Sequence, residues 1–331
     1  MKKVLVSHWL SDELVERCKE DLLLDYPAKE KGYYTSYELM SKIKDHEGLL
    51  VAETIVDKAL IDAGRSLKVI ASIGAGYNNI NDVYAGEKGI YVINAPKSVT
   101  DATAELTVAL ILSVARCIVH FDKCLRSQKK VGAPIIFGEK LKVTSTLSGK
   151  VLGIVGMGRI GRDVARKVKG FGIRIVYSDI VRADKTTEEE LGATFVSFEE
   201  LLKISDYVSV HCPYTPDNHH LFDEKAFDLM KPNACFFNVA RGQIMDESAL
   251  VDALKKNKIK GAGLDVFEYE PDINEELFDM DNVVITPHVG SFVEEVRSNM
   301  AVEALTGISA IFRDEVPPNV VNLQYFKNER R

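Results

Sequence analysis

The sequence is poor in the residues that staple small folds. Its 331 residues include five cysteines, Cys18, Cys117, Cys124, Cys212 and Cys235, an odd and scattered set with no CxxC pair. That pattern disfavours a disulfide scaffold or a cysteine-ligated metal and suits a reducing cytoplasm. Cys117 and Cys124 read as small apolar side chains of one helix face. Basic charge is not in excess either. The 42 Lys and Arg against 49 Asp and Glu leave a net charge of −7, which argues against nucleic acid or an anionic membrane as partner. Long apolar runs are also missing. The stretch 106–115, between Glu105 and Arg116, is about half a bilayer span and is expected to be a buried helix. Met1-Lys2-Lys3 is followed by too few apolar residues to read as a signal peptide.

What is present is a globular composition, 46% hydrophobic and 27% charged, in a chain long enough for two domains. Short apolar runs alternate with helical patterns from the start: 3–7, 48–52, 68–73 and 90–93 as strands, with 12–20, 36–44 and 56–63 between them. This order predicts a parallel sheet covered on both faces. A long helical pattern spans 101–120, with Thr100 or Asp101 as N-cap, and a Lys-, Gly- and Pro-containing stretch at 129–139 is expected on the surface. Six strands over 150–286 would complete a second sheet of the dinucleotide-binding kind. The stretch 292–313 reads as a long amphipathic helix, followed by a tail, 314–331, expected to pack loosely. The fold class is therefore α/β with two doubly wound parallel-sheet domains: residues 1–99 with 290–331, and an inserted dinucleotide-binding Rossmann domain, 100–289. A hinged cleft between two such lobes is the natural expectation.

The most informative stretch is VLGIVGMGRIGRDVARKVKGFGIRIVYSD, residues 151–179. An apolar run leads into Gly156-x-Gly158-x-x-Gly161, a helical pattern follows, and a second apolar run ends at Asp179. Gly156 permits the tight turn, Gly158 the approach of backbone to a pyrophosphate, and Gly161 the packing of helix on strand. Asp179 is placed to accept hydrogen bonds from ribose hydroxyls and to repel a 2′-phosphate, which favours NAD over NADP. Arg182, close by, reads as a solvated surface charge.

Ligands of open α/β sheets bind off the carboxyl ends of strands, and three polar residues fall there. Arg241 follows the run 236–240, Glu270 follows 261–266, and His288 follows 283–287. An arginine pairs bidentately with a carboxylate, and a histidine moves a proton near neutral pH. A carboxylate on the far ring nitrogen fixes the tautomer and raises the histidine pKa. In the loop SIGAGYNN, Gly74, Ala75 and Gly76 offer N–H groups as either a plain strand-to-helix turn or an anion nest.

With these motifs in view, the chain closely resembles the D-isomer-specific 2-hydroxyacid dehydrogenases. The matching stretches are GIVGMGRIG, HCPYTPDN, MKPNACFFNVARG, GAGLDVFEYEP and NVVITPHVGS. The resemblance implies that Arg241, Glu270 and His288 are the catalytic three, and that Gly74, Ala75 and Gly76 donate to the substrate carboxylate. It further implies cofactor contacts from Gly156, Gly158, Arg159, Ile160, Gly161, Asp179, Pro213, Val239, Ala240 and Asp265, with Asp265 on the carboxamide. A homodimer joined through the NAD domain is implied as well. The sequence departs from many relatives in having Trp9 as its only tryptophan, Phe292 after Ser291, and Glu53 after the strand 48–52. A Glu53 facing the pocket would disfavour a second substrate anion. The expected activity is NADH-dependent, reversible reduction of a small 2-keto acid to the D-2-hydroxy acid, with no metal. An NADH-sensing, corepressor-like interaction protein is the alternative.

Overall fold

The computed structural model describes residues 1–18, 21–129 and 144–326, so most of the stretch 129–139 lies outside the described residues. The chain divides into two compact units, Met1–Val99 with Ser291–Arg331, and Thr100–Gly290. Gly290, assigned above to the terminal segments, belongs to the second unit, where its N–H reaches the Asp265 carboxylate at 2.8 Å.

The first unit holds β1 (Lys2–Val6), β2 (Leu22–Asp25), β3 (Gly48–Val51), β4 (Val69–Ser72) and β5 (Tyr91–Ile93), in the order β2-β1-β3-β4-β5. Every pair is parallel. This is the flavodoxin-like order. Strand alternation sends Val4, Val6, Leu50 and Val69 to one face, under Ala304, Leu305 and Ile308 of the helix Glu294–Phe312. Leu5, Leu49, Val51 and Ile70 point to the other face, against Leu39, Leu60 and Ile61. Each fully buried side chain of this kind contributes about 1.5–3 kcal/mol relative to exposure.

The edge strand β2, the helix Asp82–Glu87 and the 3-10 turn Leu323–Tyr325 are elements of this unit that the apolar pattern does not announce. The described part of the tail, 314–326, is not loosely packed. Asn322 is fully buried; it accepts from Val92 N–H at 2.9 Å and donates to Ile90 O at 3.0 Å and Asp82 O at 3.2 Å. Val321 N–H donates to Val92 O at 2.9 Å, so the tail satisfies the open edge of β5.

The second unit holds β6 (Val151–Val155), β7 (Arg174–Ser178), β8 (Ala193–Phe195), β9 (Tyr207–Val210), β10 (Cys235–Asn238), β11 (Gly261–Leu264) and β12 (Val283–Ile285). Their order is β12-β11-β10-β9-β6-β7-β8, all parallel. The sheet has seven strands rather than six; β12 extends the edge and carries the chain toward His288. The strand order reverses between β6 and β9, the switch point at which such sheets bind ligands. Ser197, Asp223 and Asp246 start three of its helices by accepting N–H bonds from Glu200, Ala226 and Ala249.

The helical pattern at 101–120 is not continuous. Thr100–Ala115 and Ile118–Gln128 are separate helices bent by 60°, with Cys117 in the left-handed region at φ 51 between them. The first is largely buried against the sheet, as its apolar run implied. Among the described residues no single helix is long and apolar enough to cross a membrane. The short helix Lys185–Leu191 is a further element absent from the sequence reading.

Candidate active site

The glycine turn is set by close packing. Gly156 has φ +96, and a Cβ there would lie 2.5 Å from Cys212 N; one on Gly161 would lie 2.2 Å from Gly156 O. Gly158 is different: nothing lies within 4 Å of its Cβ position, so the backbone is open on that side. It starts the ten-residue helix Arg159–Val168 with no capping side chain. Arg159 is exposed and Ile160 half-buried in the first turn. Uncapped N–H groups beside an open glycine suit the phosphates of a dinucleotide.

At the end of β7, the Asp179 carboxylate accepts Met157 N–H at 2.6 Å and Val181 N–H at 3.3 Å, which ties it to the glycine turn. Arg182 makes two bonds of 2.9 Å to the Glu188 carboxylate and covers the Phe195 ring at 5.6 Å. Pro213 is exposed in the loop after β9. These residues fit a nicotinamide dinucleotide.

Glu270 and His288 meet, and the Arg241 charge acts on both. Asn238, fully buried at the end of β10, accepts Ala240 N–H at 3.0 Å and donates to Arg241 O at 2.9 Å, folding the turn that carries Val239, Ala240 and Arg241. Val239 is buried and Ala240 half-buried. Gly242 then passes so close to the segment after β11 that a Cβ would lie 1.9 Å from Phe267 C and O. Only glycine lets these two loops touch.

Glu270 accepts Phe267 N–H at 2.9 Å through Oε1 and meets His288 Nδ1 at 2.9 Å through Oε2. Burial pushes the Glu270 pKa up, but His288, Phe267 N–H and the Arg241 charge together hold it below the usual glutamate value. The Glu270 hydrogen bond raises the His288 pKa above the ordinary histidine value, outweighing partial burial and the Arg241 charge. Burial lowers the Arg241 pKa against the pull of Glu270, yet a guanidinium stays charged.

His288 is itself in the left-handed region, φ 53. Asp265, 1% exposed, holds that turn: its carboxylate accepts Thr286 Oγ1 at 2.6 Å, Val289 N–H at 2.8 Å and Gly290 N–H at 2.8 Å. Its carbonyl accepts His288 N–H at 2.8 Å. Burial still raises the Asp265 pKa. Asp265 thus supports the His288 turn beyond the cofactor contact that the resemblance implies, and Asn238, Gly242 and Thr286 support the site with no motif in the sequence to mark them.

In the first unit, Ser72 donates to Gly76 O at 2.7 Å and accepts Gly74 N–H at 3.3 Å, while Asn94 donates to Ala75 O at 2.6 Å. Of the three, Gly74 N–H is thus already used, which leaves the N–H groups of Ala75 and Gly76 for an anion. Glu53 and Phe292 are both exposed, with Arg297 4.8 Å over the Phe292 ring.

A sequence model of the NAD binding domain of D-isomer specific 2-hydroxyacid dehydrogenases matches residues 108–290. The chain is also 45% identical over 285 residues to a glyoxylate reductase of Thermococcus litoralis, covering 86% of each chain. It belongs to the D-isomer-specific 2-hydroxyacid dehydrogenases. Solved structures of this group agree in fold. The glyoxylate reductase of Paecilomyes thermophila superposes with TM-score 0.87 at 29% identity, over 98% of this chain and 99% of that one. An NADPH-dependent glyoxylate/hydroxypyruvate reductase of Sinorhizobium meliloti, solved with NADP and malonate, gives TM-score 0.81 at 28% identity over 100% and 99%. As a 2-hydroxyacid dehydrogenase the chain is an oxidoreductase that uses a nicotinamide cofactor and acts on small hydroxy or keto acids.

Proposed function

We propose that this dehydrogenase reduces a small 2-keto acid to the D-2-hydroxy acid with NADH, reversibly, and that glyoxylate is the first substrate to test. The observation that carries the roles is the His288 Nδ1 to Glu270 Oε2 contact of 2.9 Å, with Arg241 electrostatically coupled to the same glutamate. Arg241 anchors the substrate carboxylate and polarises the adjacent carbonyl. His288, charged while bonded to Glu270, gives its Nε2 proton to the ketone oxygen; in the oxidative direction the neutral ring takes the hydroxyl proton. In the first unit, Ala75 and Gly76 N–H, with the Gly74 turn around them, form a donor pair suited to a small carboxylate. The nicotinamide supplies the hydride for reduction when bound.

Asp179 supports NAD over NADP, because a carboxylate at the ribose position repels a 2′-phosphate and Arg182 is occupied by Glu188. The NADPH-dependent relative makes this preference a direct experimental question. A homodimer through the nucleotide-binding unit completes the reading, and sedimentation of the purified chain tests it.

The test of function is NADH and then NADPH consumption with glyoxylate, hydroxypyruvate, pyruvate, and branched and aromatic 2-keto acids. Turnover of one class with NADH preferred supports the proposal. Tight NADH binding without turnover on any of them supports the interaction-protein alternative instead.

A further inference from the structure

A second group of ligating side chains lies in the nucleotide-binding unit, apart from Arg241, Glu270 and His288. The turn after β9 carries His219 and His220. His220 occupies the left-handed region at φ 52, a conformation that costs a non-glycine residue energy, and its N–H donates to Gln243 O at 3.0 Å. Its ring stacks on that of His219 with centroids 3.9 Å apart and 22° between planes. Its Nε2 lies 2.7 Å from Glu268 Oε1.

Glu268 is 6% exposed, and its other oxygen accepts Glu247 N–H at 3.0 Å. Glu247 is 1% exposed and accepts Glu268 N–H at 2.9 Å and Asn274 N–H at 2.7 Å. Two buried glutamates therefore each cap the other's backbone N–H, and among the described residues His220 is the one basic side chain within ion-pair distance of either. One ligating atom from each of His219, His220 and Glu268 lies within 4.8 Å of the other two.

We propose that His219, His220 and Glu268 bind a borderline divalent cation, Zn²⁺ foremost, at one ion per chain. Two imidazoles and one carboxylate are donors that Zn²⁺ takes readily, whereas Ca²⁺ and Mg²⁺ require oxygen cages. Zinc bonds of about 2.0–2.1 Å set neighbouring donors roughly 3.3 Å apart in a tetrahedron. His220 and Glu268 therefore open slightly from 2.7 Å, and the proton they share leaves to solvent as the ion enters. The exposed His219 ring turns in to supply the third bond, and water fills the fourth position. The pieces beneath are already held: Glu247 N–H orients Glu268, and Tyr214 Oη lies 3.5 Å from His219 Nδ1. The ion would tie the turn after β9 to the segment after β11, 48 residues further along. Its role is structural, and it is independent of the substrate proposed above.

The test uses untagged protein stripped with a chelator. Co²⁺ is titrated while visible absorption is followed, and Zn²⁺ while heat is followed, for wild type, His219→Ala and Glu268→Gln. The expected result is one Co²⁺ per chain, the intense visible band of four-coordinate cobalt, and its loss when Zn²⁺ displaces it. His219→Ala removes an exposed ring, so it should fold and turn over as the metal-free wild type does while binding Zn²⁺ roughly tenfold or more weakly. Absence of the cobalt band in wild type, or equal affinity in wild type and His219→Ala, overturns the site.

Discussion

His288 Nδ1 sits 2.9 Å from Glu270 Oε2, and the opposite oxygen of Glu270 is held by Phe267 N–H at 2.9 Å. With both carboxylate oxygens engaged, the imidazole is fixed in one tautomer, proton on Nδ1 toward Glu270, and Nε2 is left for chemistry. The pair also stabilises the charged ring. On the proposed reading the charged ring is the proton donor of reduction, and its neutral form should govern oxidation.

The pH profile follows from the sign of the shift. His288 has its pKa raised in the fold, so reduction, which needs the charged ring, should persist above the ordinary histidine value and fall as pH climbs through the raised value. Oxidation should rise over the same interval. In Glu270→Gln the falling limb of reduction should move to lower pH, and kcat/KM at neutral pH should drop by about tenfold or more. The contact adds stability that is complete below the unfolded histidine pKa and lost as pH rises through the folded one. Profiles of kcat/KM for both directions check this; superimposable limbs in wild type and variant would remove Glu270 from the role.

On the proposed reading, cofactor choice rests on the Asp179 carboxylate. Asp179→Ser removes the charge that opposes a 2′-phosphate, so the ratio of kcat/KM for NADPH to that for NADH should rise by about tenfold or more, chiefly through KM. Met157 N–H keeps a hydroxyl acceptor within reach in place of the 2.6 Å bond it now makes. An unchanged ratio would assign cofactor selection to other residues.

Asn322 closes the edge of β5 with three hydrogen bonds made by one buried amide. Asn322→Ala leaves Val92 N–H and two carbonyls without that partner and should destabilise the first unit by about 2–4 kcal/mol. Urea unfolding measures it, and a change below about 0.5 kcal/mol, the ordinary effect of a surface substitution, would mean water replaces the amide at no cost.

The nucleotide-binding turn was legible because each of its glycines answers a separate physical need: Gly156 and Gly161 have backbone where a Cβ would sit, and Gly158 has open space. Arg241, Glu270 and His288 were legible as polar residues just past strand ends, although only the structure shows that Gly242 brings the first two loops into contact. Other features left no local mark. Strand β2 has four residues at a sheet edge, too short to show alternation, and the break at Cys117 interrupts a pattern that stays helical on both sides. Asn322 looks like any polar tail residue until its partners, at least 230 positions earlier, are known. His220 and Glu268 likewise meet across 48 positions, so no ligand spacing could announce them.

The decisive measurement is steady-state turnover of His288→Ala with the 2-keto acid that the wild type reduces best, beside NADH binding followed by cofactor fluorescence. The expected result is a fall in kcat of about 10²–10⁴-fold, the usual worth of a positioned general acid, with NADH affinity within about twofold of wild type. A variant that binds NADH normally and keeps the wild-type kcat would contradict His288 as the proton donor and, with it, the roles assigned here to Glu270.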